Sequence, residues 1–320
     1  MRPGRGSRPR TRRRPAHEDA VEGFVAAVDR GRYGVLVGDR TVTAMRAREL
    51  GRHGVVVGDQ VALAGDTSGA PGTLARVVRV SPRTTVLRRS ADDTDPVERV
   101  IVANADQLGI VCALADPPPR PRFIDRCLVA AFDAGLRPLL CLTKADLASP
   151  DELLYAYAPL GVGHVELGRP LDAALLAPLR QHLAGRISVL IGHSGVGKST
   201  LVNALIPDAG RAVGRVNAVT GRGRHTSSSA VALALPGGGW IIDTPGLRGF
   251  GLGHVAPDRV ARAFTDLAPG TAACPPGCSH DQPDCALDDW VRDQGSDPRL
   301  AARLDSLRRL LRSRDGADPW

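Results

Sequence analysis

The sequence predicts three folded parts: a small closed β-barrel, an α/β domain built on a parallel sheet, and a small helical module around a cysteine/histidine cluster. Three observations lead to this division. Short apolar strands broken by glycine-rich turns fill residues 19–85, apolar runs alternate with amphipathic segments over 86–265, and three cysteines and a histidine stand close together within 266–320. A length of 320 residues is enough for about two to three domains of roughly 100–200 residues each.

The barrel is predicted from five short candidate strands with no long helical period between them. Five such strands in a short segment are typical of an OB-fold. The predicted strands are Glu22–Ala27, Tyr33–Val37, Arg40–Arg46, Gln60–Ala64 and Leu74–Val80.

The α/β domain is predicted from alternation, because apolar runs that alternate with amphipathic helices indicate a parallel sheet covered on both faces. The predicted strands are Val100–Ala103, Leu108–Leu114, Pro138–Leu142, Gly163–Leu167 and Ile187–Ile191, followed by a hairpin of Val231–Leu235 with Trp240–Ile242. The predicted helices are Arg122–Ala134, Asp151–Ala158, Pro170–Leu183 and Lys198–Leu205, and a further helix over 297–313 carries leucines at helical spacing.

Seven arginines among residues 1–18 account for most of the net charge of +8. A Gly/Pro/Arg segment of this kind cannot bury apolar surface, and we expect it to be disordered. Both an RNA-binding arm and a solvated extension fit it. Because no run approaches the ~20 apolar residues of a membrane span, and none follows the first arginines as in a secretory signal, we expect a cytoplasmic protein without a membrane partner.

A phosphate-binding loop is the strongest motif. Gly192–Ser199 fits G-x-x-x-x-G-K-[ST], follows an apolar run and opens a predicted helix. Backbone N–H groups of such a loop surround phosphate oxygens, the lysine reaches the β- and γ-phosphates, and the serine hydroxyl is a ligand for Mg²⁺. The predicted nucleotide-binding residues here are Gly192, His193, Ser194, Gly195, Val196, Gly197, Lys198, Ser199 and Thr200.

A second nucleotide motif, Asp243-Thr244-Pro245-Gly246, follows the apolar residues Trp240–Ile242. An acid at the end of a buried strand can hold Mg²⁺, and a glycine N–H can approach the γ-phosphate closely. D-x-x-G is common in turns, but behind a strand and downstream of a P-loop it predicts nucleotide contacts from Asp243 and Gly246.

The third motif, Thr143-Lys144-Ala145-Asp146, resembles the base-reading [NT]-K-x-D motif of GTPases. A carboxylate can accept hydrogen bonds from N1–H and the N2 amino group of guanine, whereas adenine lacks this pair of donors. Lys144 and Lys198 are the only lysines among 42 basic residues, which argues against an ordinary surface role for Lys144. We therefore predict that Thr143, Lys144 and Asp146 bind guanine.

The motif order is unusual, because Asp146 precedes Gly192 whereas most GTPases carry the P-loop first. A parallel sheet can keep its strands in place while the chain is cut and rejoined elsewhere, so this order predicts a circular permutation. The chain then leaves the domain soon after Asp243–Gly246, directly towards the C-terminal module.

The C-terminal module contains Cys274, Cys278, His280 and Cys285 within a Pro/Gly-rich segment. Three thiols and an imidazole are a familiar tetrahedral ligand set for one structural Zn²⁺, which we favour over disulfides or free thiols. The other cysteines, Cys112, Cys127 and Cys141, lie in apolar runs and are predicted to be core residues.

Taken together, these motifs resemble the circularly permuted, ribosome small-subunit-dependent GTPases (RsgA, also called YjeQ) over about residues 20 to 300. The resemblance implies an OB-fold, a circularly permuted P-loop GTPase domain and a small zinc-binding α domain. It implies binding of GTP and GDP, of the small (30S) ribosomal subunit and of its rRNA, subunit-stimulated hydrolysis of GTP to GDP and phosphate, and release of assembly factors late in maturation. We expect a monomer.

The resemblance also extends to Gly221–Ser229, a basic, hydroxyl-rich segment suited to a first switch. We expect Thr226 or Ser227 to complete the Mg²⁺ shell that Ser199 and Asp243 begin. His225 resembles the candidate catalytic histidine of the family, although an RNA-facing or structural histidine fits equally well.

Two other functions stay open from the motifs alone. One is an ATP-dependent P-loop enzyme, which nucleotide competition would distinguish through Asp146. The other is a non-enzymatic RNA-binding assembly module with a nucleotide as structural ligand, which multiple turnover would exclude.

Overall fold

The fold is that of a computed structural model, which describes residues 17, 19–50, 54–89, 98–207, 209, 230–244, 252, 255–295 and 297–315. The predicted fold class is confirmed, because a closed five-stranded barrel precedes an α/β domain and a C-terminal helical module. The domain boundaries predicted from the sequence stay predictions. None of the helices in these ranges is long and apolar enough to span a membrane.

The barrel closes because its first strand pairs with both the second and the fourth. The order around the barrel is β1-β2-β3-β5-β4, with an additional β1–β4 pairing. Alternate side chains point inward and form a core of small β-branched residues, of which Val25, Val35 and Val61 are completely buried. The strands are β1 Val21–Asp29, β2 Arg32–Val37, β3 Arg40–Arg46, β4 Gln60–Gly65 and β5 Ala75–Val80.

The run predicted as Val100–Ala103 does not belong to the parallel sheet, so that part of the prediction is wrong. Strand β7 (Arg99–Ala103) pairs antiparallel with β6 (Val86–Arg89) in a separate two-stranded sheet. A short apolar run does not specify its partner, and here the buried side chains of Leu87 and Val102 belong to the large core cluster of the α/β domain. Gly58 approaches the backbone of Ala103 so closely that a Cβ atom would overlap it.

The α/β domain has the sheet order β10-β9-β8-β11-β13-β12, in which the strand before the P-loop lies at the centre. The strands on one side of β11 precede it in the chain, and those on the other side follow it. All neighbours are parallel except the predicted hairpin β12–β13. The strands are β8 Gln107–Ala113, β9 Arg137–Thr143, β10 Gly163–Leu167, β11 Ile187–Ile191, β12 Val231–Ala234 and β13 Trp240–Asp243.

Among the described residues, four helices cover the two faces of this sheet: α1 Pro121–Ala134, α2 Asp151–Tyr157, α3 Ala173–Leu183 and α4 Lys198–Leu205. Helix α3 begins three residues later than Pro170, its predicted start, because the Asp172 side chain caps it and accepts the Leu175 N–H at 2.9 Å. The buried side chains of α1 pack in one core cluster, and those of α3 and α4 in a second.

The barrel and the α/β sheet are joined edge to edge. Strand β1 pairs antiparallel with β12, with Ala27 opposite Val231, so that eleven strands form one continuous sheet. The rings of Phe24 and Trp240 pack beside this junction with centroids 5.0 Å apart. The strand that follows the predicted first switch is therefore held directly by the barrel.

The C-terminal part consists of α5 Pro257–Ala261, α6 Ala268–Thr271, α7 Ala286–Asp293 and α8 Pro298–Asp315. The predicted apolar face of α8 is confirmed, since Leu304, Leu307, Leu310 and Leu311 are buried against a core that includes α1. Arg308 and Arg309 of the same helix are half-buried. They pair with Asp288 of α7 and Asp125 of α1, respectively.

Candidate functional site

The P-loop connects the central strand β11 to helix α4, as its motif predicts. Gly195 and Gly197 have φ values of 84° and 91°, a left-handed conformation that glycine adopts without a steric penalty. Gly192 lies against strand β8, where a Cβ atom would stand 2.6 Å from the carbonyl oxygen of Val111. Ser194 is exposed at the loop, whereas Val196 is buried and anchors it.

Lys198 and Asp243, the two charged residues predicted to act at the phosphates, meet at the end of the sheet. Strand β13 lies parallel to β11 with Asp243 opposite Leu190, which brings its carboxylate beside the first residue of α4. The Lys198 ammonium donates a hydrogen bond to the Asp243 carboxylate. The next residue, Thr244, donates its hydroxyl to the Leu190 carbonyl at 3.1 Å. Ser199 and Thr200 are exposed in the first turn of α4.

The third motif lies at the same edge of the sheet and touches the P-loop directly. Thr143, the last residue of β9, donates its buried hydroxyl to the Val196 carbonyl at 2.6 Å, and the same oxygen lies 3.3 Å from the Cys112 carbonyl oxygen. Where related motifs carry asparagine, the threonine hydroxyl thus still connects the two loops.

Lys144 and Asp146 follow in the turn after β9. Lys144 has a left-handed φ of 57°, and its ammonium donates to the carbonyl of Asp116. The Asp146 carboxylate is exposed. Its neighbour across the edge is Gly168, where a Cβ atom would lie 3.3 Å from the Asp146 nitrogen. Asp116 and Gly168 carry no sequence motif, and the folded arrangement places them beside the predicted base site.

His193 contributes differently from its loop neighbours. Its ring packs against Phe123 at the start of α1, with centroids 4.0 Å apart, and its Nε2 is buried without a hydrogen-bond partner among the described residues. Burial lowers the pKa of this imidazole, and the nearby Arg120 lowers it further. A neutral His193 therefore packs the P-loop against α1, while the loop backbone stays free for a phosphate.

Four predicted residues lie outside the described residues: His225, Thr226, Ser227 and Gly246. Their roles stay predictions, as does the switch assignment of Gly221–Ser229.

The cysteine/histidine cluster is assembled as predicted. One ligand atom from each of Cys274, Cys278, His280 and Cys285 lies within 4.8 Å of all the others. The Cys274 and Cys285 sulfurs are 3.9 Å apart, and the Cys274 sulfur is 3.6 Å from His280 Nδ1. A metal–sulfur distance of about 2.3 Å in a tetrahedron gives ligand separations of roughly 3.7 Å, so this set could hold a metal ion.

Two thiols of this cluster, those of Cys278 and Cys285, favour their protonated forms when no metal is bound. Burial raises the pKa of Cys278, and it raises that of Cys285 to about 12. Because only thiolates bind metal, binding must release these protons. The backbone N–H of His280 points at the Cys278 sulfur at 3.3 Å, which supports a thiolate there. The other three cysteines are buried, as predicted.

Comparisons with known proteins agree with this arrangement. The sequence model of the RsgA GTPase family matches residues 80–253. A protein from Pseudomonas putida named small ribosomal subunit biogenesis GTPase RsgA is 42% identical over 245 residues, which cover 74% of this chain and 69% of the relative. A protein of the same name from Pseudomonas aeruginosa is 40% identical over 250 residues, covering 76% and 72%.

Two solved structures share the fold. The crystal structure of YjeQ from Thermotoga maritima is 24% identical with a TM-score of 0.66, and the match covers 93% of this chain and 100% of that one. YloQ, described as a circularly permuted GTPase, is 21% identical with a TM-score of 0.64 and coverage of 96% and 99%. From the family match and the identity to its relatives, this chain belongs to the RsgA family of GTPases, enzymes that hydrolyse GTP.

Proposed function

We propose that this GTPase binds the small ribosomal subunit, assists its late maturation and releases assembly factors as GTP is hydrolysed to GDP and phosphate. The observation that carries the proposal is the meeting of three nucleotide motifs at one edge of the sheet, in a chain whose relatives are named for small-subunit biogenesis.

On the phosphate side, we assign the backbone N–H groups of Gly192–Thr200 to the phosphate oxygens. Lys198 and Asp243 form an ion pair at this site. We assign the Lys198 ammonium to the β- and γ-phosphates of GTP, and the Asp243 carboxylate would hold Mg²⁺ together with the Ser199 hydroxyl. Bound Mg²⁺ would neutralise charge that develops on the phosphates. Thr226 or Ser227 completes this shell from the first switch.

On the base side, we assign guanine recognition to the exposed carboxylate of Asp146. Changing Asp146→Asn replaces one acceptor by a donor and should move the preference from guanine to xanthine nucleotides. Competition of GDP and XDP for the protein measures this change. Asp151→Asn, at an exposed carboxylate in the first turn of α2, is the matched control and should keep the guanine preference. If Asp146→Asn keeps it as well, Asp146 does not read the base.

For hydrolysis, we assign the positioning of the attacking water to His225 or to a group of the ribosome, because Leu247 follows Gly246 where many GTPases place a glutamine. Loss of the γ-phosphate then releases the two switches. Val231 follows the first switch and is paired with the barrel, while α5 follows the second, so both switches are connected to neighbouring parts of the chain.

We also propose that Cys274, Cys278, His280 and Cys285 hold one structural Zn²⁺. Four protein ligands leave no open position for a substrate, so the site serves the fold rather than the chemistry. Metal analysis of the purified chain tests this proposal, and about one zinc per chain is the expected result.

The subunit partner is tested by co-sedimentation. We expect the chain to pellet with small subunits in the presence of a non-hydrolysable GTP analogue and to stay in the supernatant with GDP. A chain that pellets equally with large subunits, or with neither, would contradict the proposed partner.

A further inference from the structure

His280 has two ring nitrogens that face different partners. Its Nδ1 lies in the ligand cluster, 3.6 Å from the Cys274 sulfur, whereas its Nε2 lies 3.4 Å from a carboxylate oxygen of Asp258. The imidazole is only 4% exposed, and the Asp258 side chain, which is 63% exposed, reaches it from the surface. Asp258 is not one of the four metal ligands and belongs to a different element, α5.

We propose that Asp258 is a positioning residue for the metal site, which orients His280 from outside the ligand shell. A neutral imidazole carries its proton on one nitrogen and offers a lone pair on the other. A carboxylate at Nε2 keeps the proton there and leaves the Nδ1 lone pair for the metal. Such outer carboxylates fix the tautomer and ring angle of metal-binding histidines and raise their basicity.

The backbone of His280 is held separately from its ring. Arg308 of α8 donates its Nε–H to the His280 carbonyl at 3.2 Å and forms a two-point ion pair with Asp288. His280 itself has a left-handed φ of 60°, which a non-glycine residue keeps only when its surroundings hold it. Helix α8 thus contacts the backbone of His280, whereas Asp258 contacts its ring.

Asp258 lies close in the chain to the second nucleotide motif. It stands 15 residues after Asp243, in the first turn of the helix that follows the second nucleotide motif. The carboxylate therefore connects the segment that leaves the GTPase motif to the metal site, without being a ligand itself.

The inference rests on the metal site proposed above and is tested by zinc affinity. Purified full-length wild-type chain and the Asp258→Ala variant are each titrated against a chromophoric zinc chelator at a single pH. Removing an outer-shell carboxylate is expected to weaken zinc binding about 10- to 100-fold. Asp289→Ala is the matched control, because Asp289 is an exposed carboxylate of the same module that pairs only with Arg292 in its described contacts. It should bind zinc like the wild type.

Two further measurements distinguish a positioning role of Asp258 from a general loss of structure in the variant. Asp258→Asn keeps an oxygen that can accept a hydrogen bond from the Nε2–H of His280. This variant should therefore bind zinc more tightly than Asp258→Ala. With Co²⁺ as probe, the visible absorption of the wild-type chain should report a tetrahedral three-sulfur site, and the alanine variant should change the shape of this spectrum.

The possible outcomes are distinct. If the wild-type chain binds no zinc, the proposed metal site fails. If the wild type binds zinc but Asp258→Ala loses less than about tenfold in affinity, or no more than Asp289→Ala, the positioning role alone is refuted. An asparagine variant as weak as the alanine variant, or an unchanged cobalt spectrum, also refutes it.

Discussion

Replacing Thr143 by valine should weaken nucleotide binding although Thr143 contributes no charge. Valine has nearly the same shape, but it removes the hydroxyl that donates to the Val196 carbonyl at 2.6 Å and lies near the Cys112 carbonyl. Thr143 is 6% exposed, so water cannot replace the lost donor. A buried carbonyl left without a partner costs about 1–3 kcal/mol.

This cost falls mainly on the nucleotide complex. We expect the P-loop of the variant to shift when no nucleotide is bound, whereas a bound phosphate requires the loop to keep its N–H groups inward. The loss of 1–3 kcal/mol corresponds to a dissociation constant for GDP that is about 5- to 150-fold higher, since 1.4 kcal/mol is a factor of ten.

Calorimetric titration of Thr143→Val with GDP and Mg²⁺ measures this change. Thr143→Ser keeps the hydroxyl and is the matched control, which should bind GDP like the wild type. Equal affinities of the valine and serine variants would refute the reasoning, because the hydroxyl would then have no part in holding the loop.

Three other predictions follow from the structure and sequence. Gly192→Ala should destabilise the fold by about 1–3 kcal/mol in urea unfolding, because its Cβ would meet the Val111 backbone, whereas Gly237→Ala meets nothing within 4 Å and should be neutral. His225→Ala should keep GTP binding and lose subunit-stimulated turnover. The pKa of Asp266 is lowered by its hydrogen bond from Arg303, so its stabilising effect is present above about pH 4 and is lost as the pH falls through the lower folded value. The difference in urea midpoint between the wild type and Asp266→Asn should therefore disappear in acid.

Each of these has a clear contrary result. Equal stability of the two glycine variants would mean that the P-loop accommodates a Cβ after all. Unchanged stimulated turnover in His225→Ala would reject its catalytic role. A difference between the wild type and Asp266→Asn that persists or grows in acid would show that the ion pair with Arg303 is not its source.

The fold was largely predictable because its strands and helices follow simple periods. The five barrel strands and the central P-loop strand appear in the sequence as short apolar runs between turns, and the structure places them accordingly. The antiparallel pairing of Val86–Arg89 with Arg99–Ala103 was not predictable, because a short apolar run reveals burial but not its partner.

The candidate site likewise contains residues that the sequence reveals and residues that it does not. Lys144 and Lys198 stand out in the sequence because lysine is otherwise absent, and both lie at the assembled edge of the sheet. Asp258 and Gly168 do not stand out, because a surface carboxylate and a loop glycine become informative only when folding brings them beside His280 and Asp146.

The arginines of α8 show a further limit. Helical spacing marks the buried leucines of this helix, but it does not mark charged side chains that find partners in distant segments. Arg309 contacts Asp125, which also accepts a hydrogen bond from the Tyr157 hydroxyl at 2.9 Å, so polar contacts as well as leucines connect α8 to α1 and α2.

The central claim is that this chain hydrolyses GTP under the control of the small ribosomal subunit. It is tested most directly by steady-state GTP turnover of the full-length chain, measured side by side with small subunits, large subunits, free rRNA and no addition. We expect small subunits to raise the turnover rate, and large subunits and free rRNA to leave it near the basal value. Turnover that small subunits do not raise, or that large subunits raise equally, would contradict it.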